Sequence, residues 1–308
     1  MPEPLRLQVT LETVTPLLLH GTEPGGEPEL RPPSFRGMLR YWLRAALGGM
    51  LSGSNLLTDL HRLETAVFGS TDYGSPIGLR VLGTDPKKER VFILPHKPKG
   101  SHHAIASGQS FELLLTQNRT QKPEIWEAAC AALELAVAFG GVGMRSRRGY
   151  GTLRIVQADS DQVAVSPRIR KGWYEHIERV TRRAINAATR LARSEKAQLV
   201  ERLPEGPGMF PSANQTGIIR LGTLQYPSAM DGVVAFMEEV KAVPALGGIK
   251  PRQASPLWLR SVQMEGGYGL LFVVLASHLK NRGEDYEWVK QFLSKFDGQD
   301  IRVKGWNT

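Results

Sequence analysis

Residues 140–151 read GGVGMRSRRGYG, and the rest of the chain is read outward from them. Five glycines and three arginines share these twelve residues. Upstream lies an apolar, alanine-rich segment, 123–139, whose Pro123 suits the first turn of a helix. Downstream, 152–158 (TLRIVQA) alternates as a strand does. The turn is not a Walker loop, because GxxxxGK[ST] is absent. It is not a dinucleotide fingerprint either, because it follows a helix and not a strand. Glycines admit positive φ and let the backbone approach a ligand closely, and successive backbone N–H groups form anion-binding concavities. Arg145, Arg147 and Arg148 carry planar guanidinium forks suited to phosphate, and Tyr150 offers a ring for stacking on a base. The segment therefore predicts a phosphate-binding turn inside an α+β unit.

Upstream, 5–14 alternates apolar and polar residues and predicts a half-buried strand. Residues 20–34 are rich in Pro and Gly and predict a loop. Ser34 stands where an N-cap belongs, ahead of a helix closed by Gly48 and Gly49. A short helix is expected over 61–68 and strands over 77–82 and 111–116, with 97–109 as a loop. The order β, α, short α, β, β, α, glycine-rich turn, β is that of a β-α-β-β-α-β sheet with helices on one face, the ferredoxin-like arrangement. The polar run at 159–166 suggests a boundary, giving units 1–160 and 161–308. Beyond it a basic helix is expected over 173–203, strands over 218–224, 257–264 and 270–276, helices over 233–243 and 285–296, and loops over 204–211 and 244–253. The fold class expected is α+β: two tandem ferredoxin-like domains, the second divergent and more helical. A length of 308 residues suits two domains.

The chain carries 39 Lys and Arg against 30 Asp and Glu, a formal net charge of +9. Residues 145–202 hold fourteen of the cations and six acids, a difference of +8, and 31–44 hold four arginines and no acid. Arg36, Arg40 and Arg44 are four apart and form one stripe on a helix, while Leu39, Trp42 and Leu43 face the core. A helix start is itself an anion site. Two basic concentrations in a chain otherwise near balance predict a surface for a polyanion, with salt-dependent affinity. The single cysteine, Cys130, sits in an apolar stretch; it excludes a disulfide framework and a zinc site of several thiolates, and is expected to be a buried core residue. No leader or long apolar span is read, so a soluble, cytoplasmic protein with no membrane partner is expected. Trp173, Trp288 and Trp306 are expected in the core.

The segments ELRPPSFRGMLRYWLRA (29–45) and GGVGMRSRRGYGTL (140–153) together resemble the RAMP superfamily of CRISPR-associated proteins, and within it the group supplying subunit one of Cmr (type III-B) effector complexes. The likeness is concentrated in 5–47 and 136–156 and extends to 250–276, which contains PRQASPLWLRSV. It implies two tandem RAMP domains, a scaffold that binds guide RNA (crRNA) and holds its 3′ part at the end of the complex, target RNA and other RAMP subunits of the Cmr complex as partners, and no nuclease centre. Carried over by motif, the RNA-binding positions are Arg31, Ser34, Arg36 and Arg40, to which the stripe adds Arg44. In the turn they are Gly141, Gly143, Arg145, Arg147, Arg148 and Gly149, to which stacking adds Tyr150. Lys250, Arg252 and Arg260 complete the set.

The rival class is a metal-independent, guide-processing endoribonuclease. It needs a general base and acid, for which His20 and the pair His102-His103, beside Lys97 and Lys99, are the candidates. Asp72, Asp85, Asp159 and Asp161 are scattered without ligand spacing. No catalytic set, metal site or cofactor is expected.

Overall fold

The computed structural model describes residues 4–23, 26–83, 85–94, 100–117, 122–240, 243–248, 250, 252–279 and 286–307. Mixed α and β elements are arranged around antiparallel sheets. The first sheet is seeded by β1 (Arg6–Thr13), whose alternation points Leu7, Val9 and Leu11 inward and leaves Gln8, Thr10 and Glu12 on the open face. Each such inward side chain contributes about 1.5–3 kcal/mol on burial. β1 pairs antiparallel with β5 (Ser110–Gln117) and β6 (Leu153–Ala158), and β5 pairs with β2 (Ile77–Leu82), giving the order β2-β5-β1-β6. Helices α1 (Pro32–Gly48), α2 (Leu56–Phe68) and α3 (Pro123–Phe139) cover the apolar face. A separate hairpin pairs β3 (Lys88–Phe92) with β4 (Ser101–Ile105).

The 25-residue α4 (Arg170–Ser194) packs on α1 and α3, and the second sheet follows. Its strands are β7 (Ile218–Gly222), β8 (Leu257–Met264), β9 (Gly267–Val274) and β10 (Gly298–Asp300), in the order β10-β7-β9-β8 with every pair antiparallel. The connections run β7, α5 (Ala229–Glu239), β8, β9, α6 (Glu287–Leu293), β10. In both sheets the strand order within the unit is therefore fourth, first, third, second. Apart from the exposed edge strand β10, the second sheet is largely buried on both faces. Leu257, Leu259, Leu270, Phe272 and Val274 face α5 and α6, while the alternate residues Trp258, Val262, Leu271 and Val273 share a core with the first sheet and its helices. An aromatic seam of Tyr41, Trp42, Phe139, Trp258 and Trp306 closes the junction, with Trp42 and Trp258 ring centroids 5.2 Å apart.

Several expected boundaries move. α1 starts at Pro32, with Arg31 as its N-cap and no side-chain cap; Ser34 lies inside the first turn and caps nothing. Two consecutive prolines preset helical φ and pull the start forward. α2 begins at Leu56, ahead of 61. The stretch containing His102 and His103 is strand β4 and not loop, because His103 registers with Arg90 and His102 with Val91; Lys97 and Lys99 lie outside the described residues. α4 ends at Ser194, where Lys196 turns to φ +56°, and not at 203. α5 starts at Ala229 through a capping box between Ser228 and Asp231. Cys130, Trp173 and Trp306 are buried as expected, whereas Trp288 is more than a third exposed. Among the described residues no helix is long and apolar enough to cross a membrane, and no group of His, Cys, Asp or Glu is arranged to hold a metal ion.

Candidate nucleic-acid interface

The glycine-arginine turn is a tightly bonded connector. Met144 N–H donates to the Leu18 carbonyl (2.8 Å), Gly151 N–H to Pro16 (2.9 Å) and Val142 N–H to Gly151 (3.0 Å). Thr15 Oγ1 donates to the Gly149 carbonyl (2.7 Å) and accepts from Thr152 N–H (3.0 Å). Gly143 and Gly151 have φ of +87° and +62°, and a Cβ on either would sit 2.3 Å from the Leu18 carbonyl oxygen or 2.0 Å from that of Val142. These glycines, like Gly141 and Gly149, are required for close packing of protein on protein. The expectation that the turn's backbone N–H groups cradle phosphate is corrected accordingly, since several of them are already consumed.

The arginines separate by environment. Arg145 adopts φ +63°, uncommon for a residue with a side chain. Arg147 lies against two adjacent rings, 5.3 Å from the centre of Tyr41 and 5.1 Å from that of Trp258, and donates to the Ser255 carbonyl (2.6 Å). Its own carbonyl accepts from Leu259 N–H (3.2 Å), and Arg148 bridges in parallel to Leu259, so the turn lies along the edge of β8. Arg148 is largely buried: Nη2 donates to the Leu246 carbonyl and Nη1 has no protein partner. Burial, reinforced by repulsion from Arg145 and Arg147, lowers its pKa to about 10, well above neutrality, so it stays charged.

Across from the turn runs the segment 246–255. The two sides enclose a cleft of about 630 Å³ lined by Arg145, Ser146, Arg147 and Arg148 on one wall and by Gly247, Gly248, Arg252 and Ser255 among others on the second. Four arginines and no acidic residue line it. Lys250 is exposed on the same segment as Arg252. With a local potential of one sign, the cleft concentrates anions.

Other expected site residues lie elsewhere. Tyr150 is fully buried, and its hydroxyl donates to the Phe92 carbonyl (2.6 Å), so its ring is not available for stacking on a base. Arg260 is 1% exposed, over the Trp173 ring, with Nη2 donating to the Leu153 carbonyl (2.9 Å); burial lowers its pKa to about 9. Strand alternation points it into the junction and away from solvent. The stripe on α1 is also committed. Arg40 and Arg44 share the Glu64 carboxylate (2.7 and 2.6 Å). Arg40 Nη2 also donates to the carbonyls of Phe68 and Gly69, at the end of α2, and Arg36 reaches the Phe68 and Ile77 carbonyls. The stripe thus fastens α1 to α2, where cations at a helix C-terminus are favourable. Arg31 pairs with Glu29 (2.9 Å). Tyr41, Trp258 and Ser255 were missed as parts of the site, because what they hold is an arginine from a distant segment. The histidines converge: His20 and His102 ring centroids are 6.0 Å apart, His20 Nε2 bonds to the His103 carbonyl (2.8 Å), and His103 faces Glu27 (3.4 Å).

Comparison with known proteins finds relatives for part of the sequence and for the fold. Residues 10–154 match the model of the RAMP superfamily. The CRISPR system Cmr subunit Cmr1-1 of Pyrococcus furiosus is 31% identical over 149 residues, which cover 44% of this chain and 43% of that protein. Subunit Cmr1-2 of the same organism is 26% identical over 180 residues, 47% of this chain and 92% of that protein. The match thus spans less than half the length of the first relative. In fold, the chain aligns with the apo crystal structure of Pyrococcus furiosus Cmr1 at a TM-score of 0.69 and 18% identity, covering 98% of this chain and 100% of that one. It aligns with a chain of the Type III-B Cmr-beta complex bound to cognate target RNA at 0.63 and 12%, covering 95% and 99%.

Proposed function

We propose that this chain, a RAMP-superfamily protein over residues 10–154 with similarity to Cmr1 proteins, is a non-catalytic RNA-binding scaffold subunit of a type III-B Cmr effector complex. Its partners in this reading are a guide RNA, target RNA and neighbouring RAMP subunits in the cytoplasm. Its two sheets are read as tandem ferredoxin-like units that build one groove between them. The observation that carries the reading is the cleft at the junction, where four arginines meet with no acid among the lining residues. Such a surface reads the sugar-phosphate backbone and not base identity, as suits a subunit that must accept guides of any sequence. Holding the 3′ part of the guide, at the end of the complex, rests on the family resemblance and not on the cleft. The test is binding of a fluorescent single-stranded oligoribonucleotide across a KCl series. The reading expects affinity that falls linearly in log–log form with salt, by a slope of about 0.7 per phosphate contacted. Affinity independent of salt would refute it.

A second reading, metal-independent RNA cleavage, is favoured by the convergence of His20 and His102. Against it, His20 Nε2 is engaged by the His103 carbonyl and His102 Nδ1 is buried without a partner, which leaves each imidazole a single ring nitrogen for proton transfer. Incubation with repeat-containing RNA in EDTA separates the two. Intact, gel-retarded RNA supports the scaffold; cleavage abolished by His20→Ala or His102→Ala supports the enzyme.

A further inference from the structure

The three arginines of the turn have the same charge and sit within four residues, yet they meet different surroundings. Arg147 spends its guanidinium on protein. It is held by a ring from each unit, Tyr41 of α1 and Trp258 of β8, and by the Ser255 carbonyl. Those two rings also bond to each other, Trp258 Nε1 donating to Tyr41 Oη (3.1 Å). Arg145 has no protein acceptor for its side chain among the described contacts and faces the cleft, as does Arg252 on the opposite wall. Arg148 has one nitrogen tied to Leu246 and one, Nη1, buried with no partner. An unpaired charged donor in a low-dielectric site is costly unless an anion completes it. The left-handed φ of Arg145 is also what a residue set by its surroundings and not by its own preference shows.

We infer that these arginines divide the work. Arg147 is a positioning residue that clamps the two units and keeps the groove in shape. Arg145, Arg252 and the free Nη1 of Arg148 form a cradle for a single backbone phosphate of the bound RNA. This rests on the groove reading above and assigns its parts. A phosphate diester oxygen pair fits the cradle because guanidinium forks donate from two walls while the buried nitrogen donates from the floor.

The experiment is fluorescence anisotropy of a short single-stranded oligoribonucleotide over a KCl series, with thermal unfolding of each variant. Arg145→Ala and Arg252→Ala should each weaken binding and lower the log–log salt slope, by no more than about 0.7 singly or combined, one phosphate's worth for a single strand. Arg147→Ala should weaken binding by about tenfold at every salt concentration, leave the slope unchanged and lower the Tm, since what it loses is a clamp of cation–π strength. Arg147→Lys keeps the charge but not the planar stacking, and should behave like the alanine variant. Tyr41→Leu, which leaves all the charges in place, should reproduce the same pattern even if Arg147→Ala folds poorly. A slope lowered by about 0.7 in Arg147→Ala and restored in Arg147→Lys would overturn the division of labour while leaving the groove intact. Wild-type protein that retains no RNA at any salt would instead overturn the groove, and the cradle with it.

Discussion

Replacing Glu64 by Ala tests whether the arginine stripe of α1 belongs to the protein's own scaffold or to the proposed RNA surface. Glu64 is buried on α2, and its two oxygens take Arg40 at 2.7 Å and Arg44 at 2.6 Å. Breaking a fully buried ion pair costs about 3–5 kcal/mol and an exposed one about 1 kcal/mol or less. Here the carboxylate side chain is 8% exposed, but Arg44 is 39% exposed and can rehydrate. Arg40, 26% exposed, keeps the Phe68 and Gly69 carbonyls. The loss therefore falls between those limits, at about 2–3 kcal/mol, which for a chain of this size lowers Tm by roughly 5 °C. Differential scanning fluorimetry reads that shift, and the RNA salt series reads the second expectation, an unchanged slope. If the stripe instead contacts RNA, removing its carboxylate frees two cations for phosphate. The variant would then bind more tightly, with a slope steeper by about 1.4. An unshifted Tm with a steeper slope would refute the structural role assigned to these arginines.

Arg260→Met should leave stability within about 1 kcal/mol of wild type or raise it, because an apolar side chain of similar length replaces a guanidinium with two unpartnered nitrogens; urea denaturation checks this, and a loss above about 3 kcal/mol would show that the buried charge is a net stabiliser. His176 is buried and neutral, its pKa lowered to about 3 by burial and then by Arg179, so the unfolded chain, titrating near 6.5, binds the extra proton between those values and stability rises with pH across that window. Wild-type protein should be about 2 kcal/mol less stable at pH 5 than at pH 8 through this residue, and His176→Gln should lack that component. Gly151→Ala should cost about 2 kcal/mol or more and reduce RNA binding in parallel, since both its φ of +62° and the Val142 carbonyl oppose a Cβ; full stability in the variant would show that the turn relaxes freely.

Much of the architecture is legible in local pattern. The alternation of 5–14 and 111–116, the alanine-rich apolar run at 123–139 and the turn before 152–158 each encode a period or a break, and those elements stand close to where the pattern puts them. Starts and ends are less legible. Pro32 and Pro33 begin α1 ahead of the Ser34 signal, and β3 and β4 pair through a short, polar stretch that carries little periodicity of its own.

The site divides in the same way. The sequence by itself determined that this is a basic α+β chain with a glycine-arginine turn between a helix and a strand, because charge, spacing and conformational freedom are properties of the residues in order. Only the tertiary structure decided which arginines are engaged by the protein itself. Arg36, Arg40, Arg44, Arg147 and Arg260 are chemically as fit for phosphate as Arg145 or Arg252. Glu64 reaches two of them from a different helix, the adjoining rings of Tyr41 on α1 and Trp258 on β8 hold another, and the inward side of β8 removes Arg260 from solvent. A guanidinium binds whichever acceptor or ring the fold brings within reach, and that proximity is set by packing between segments far apart in the chain.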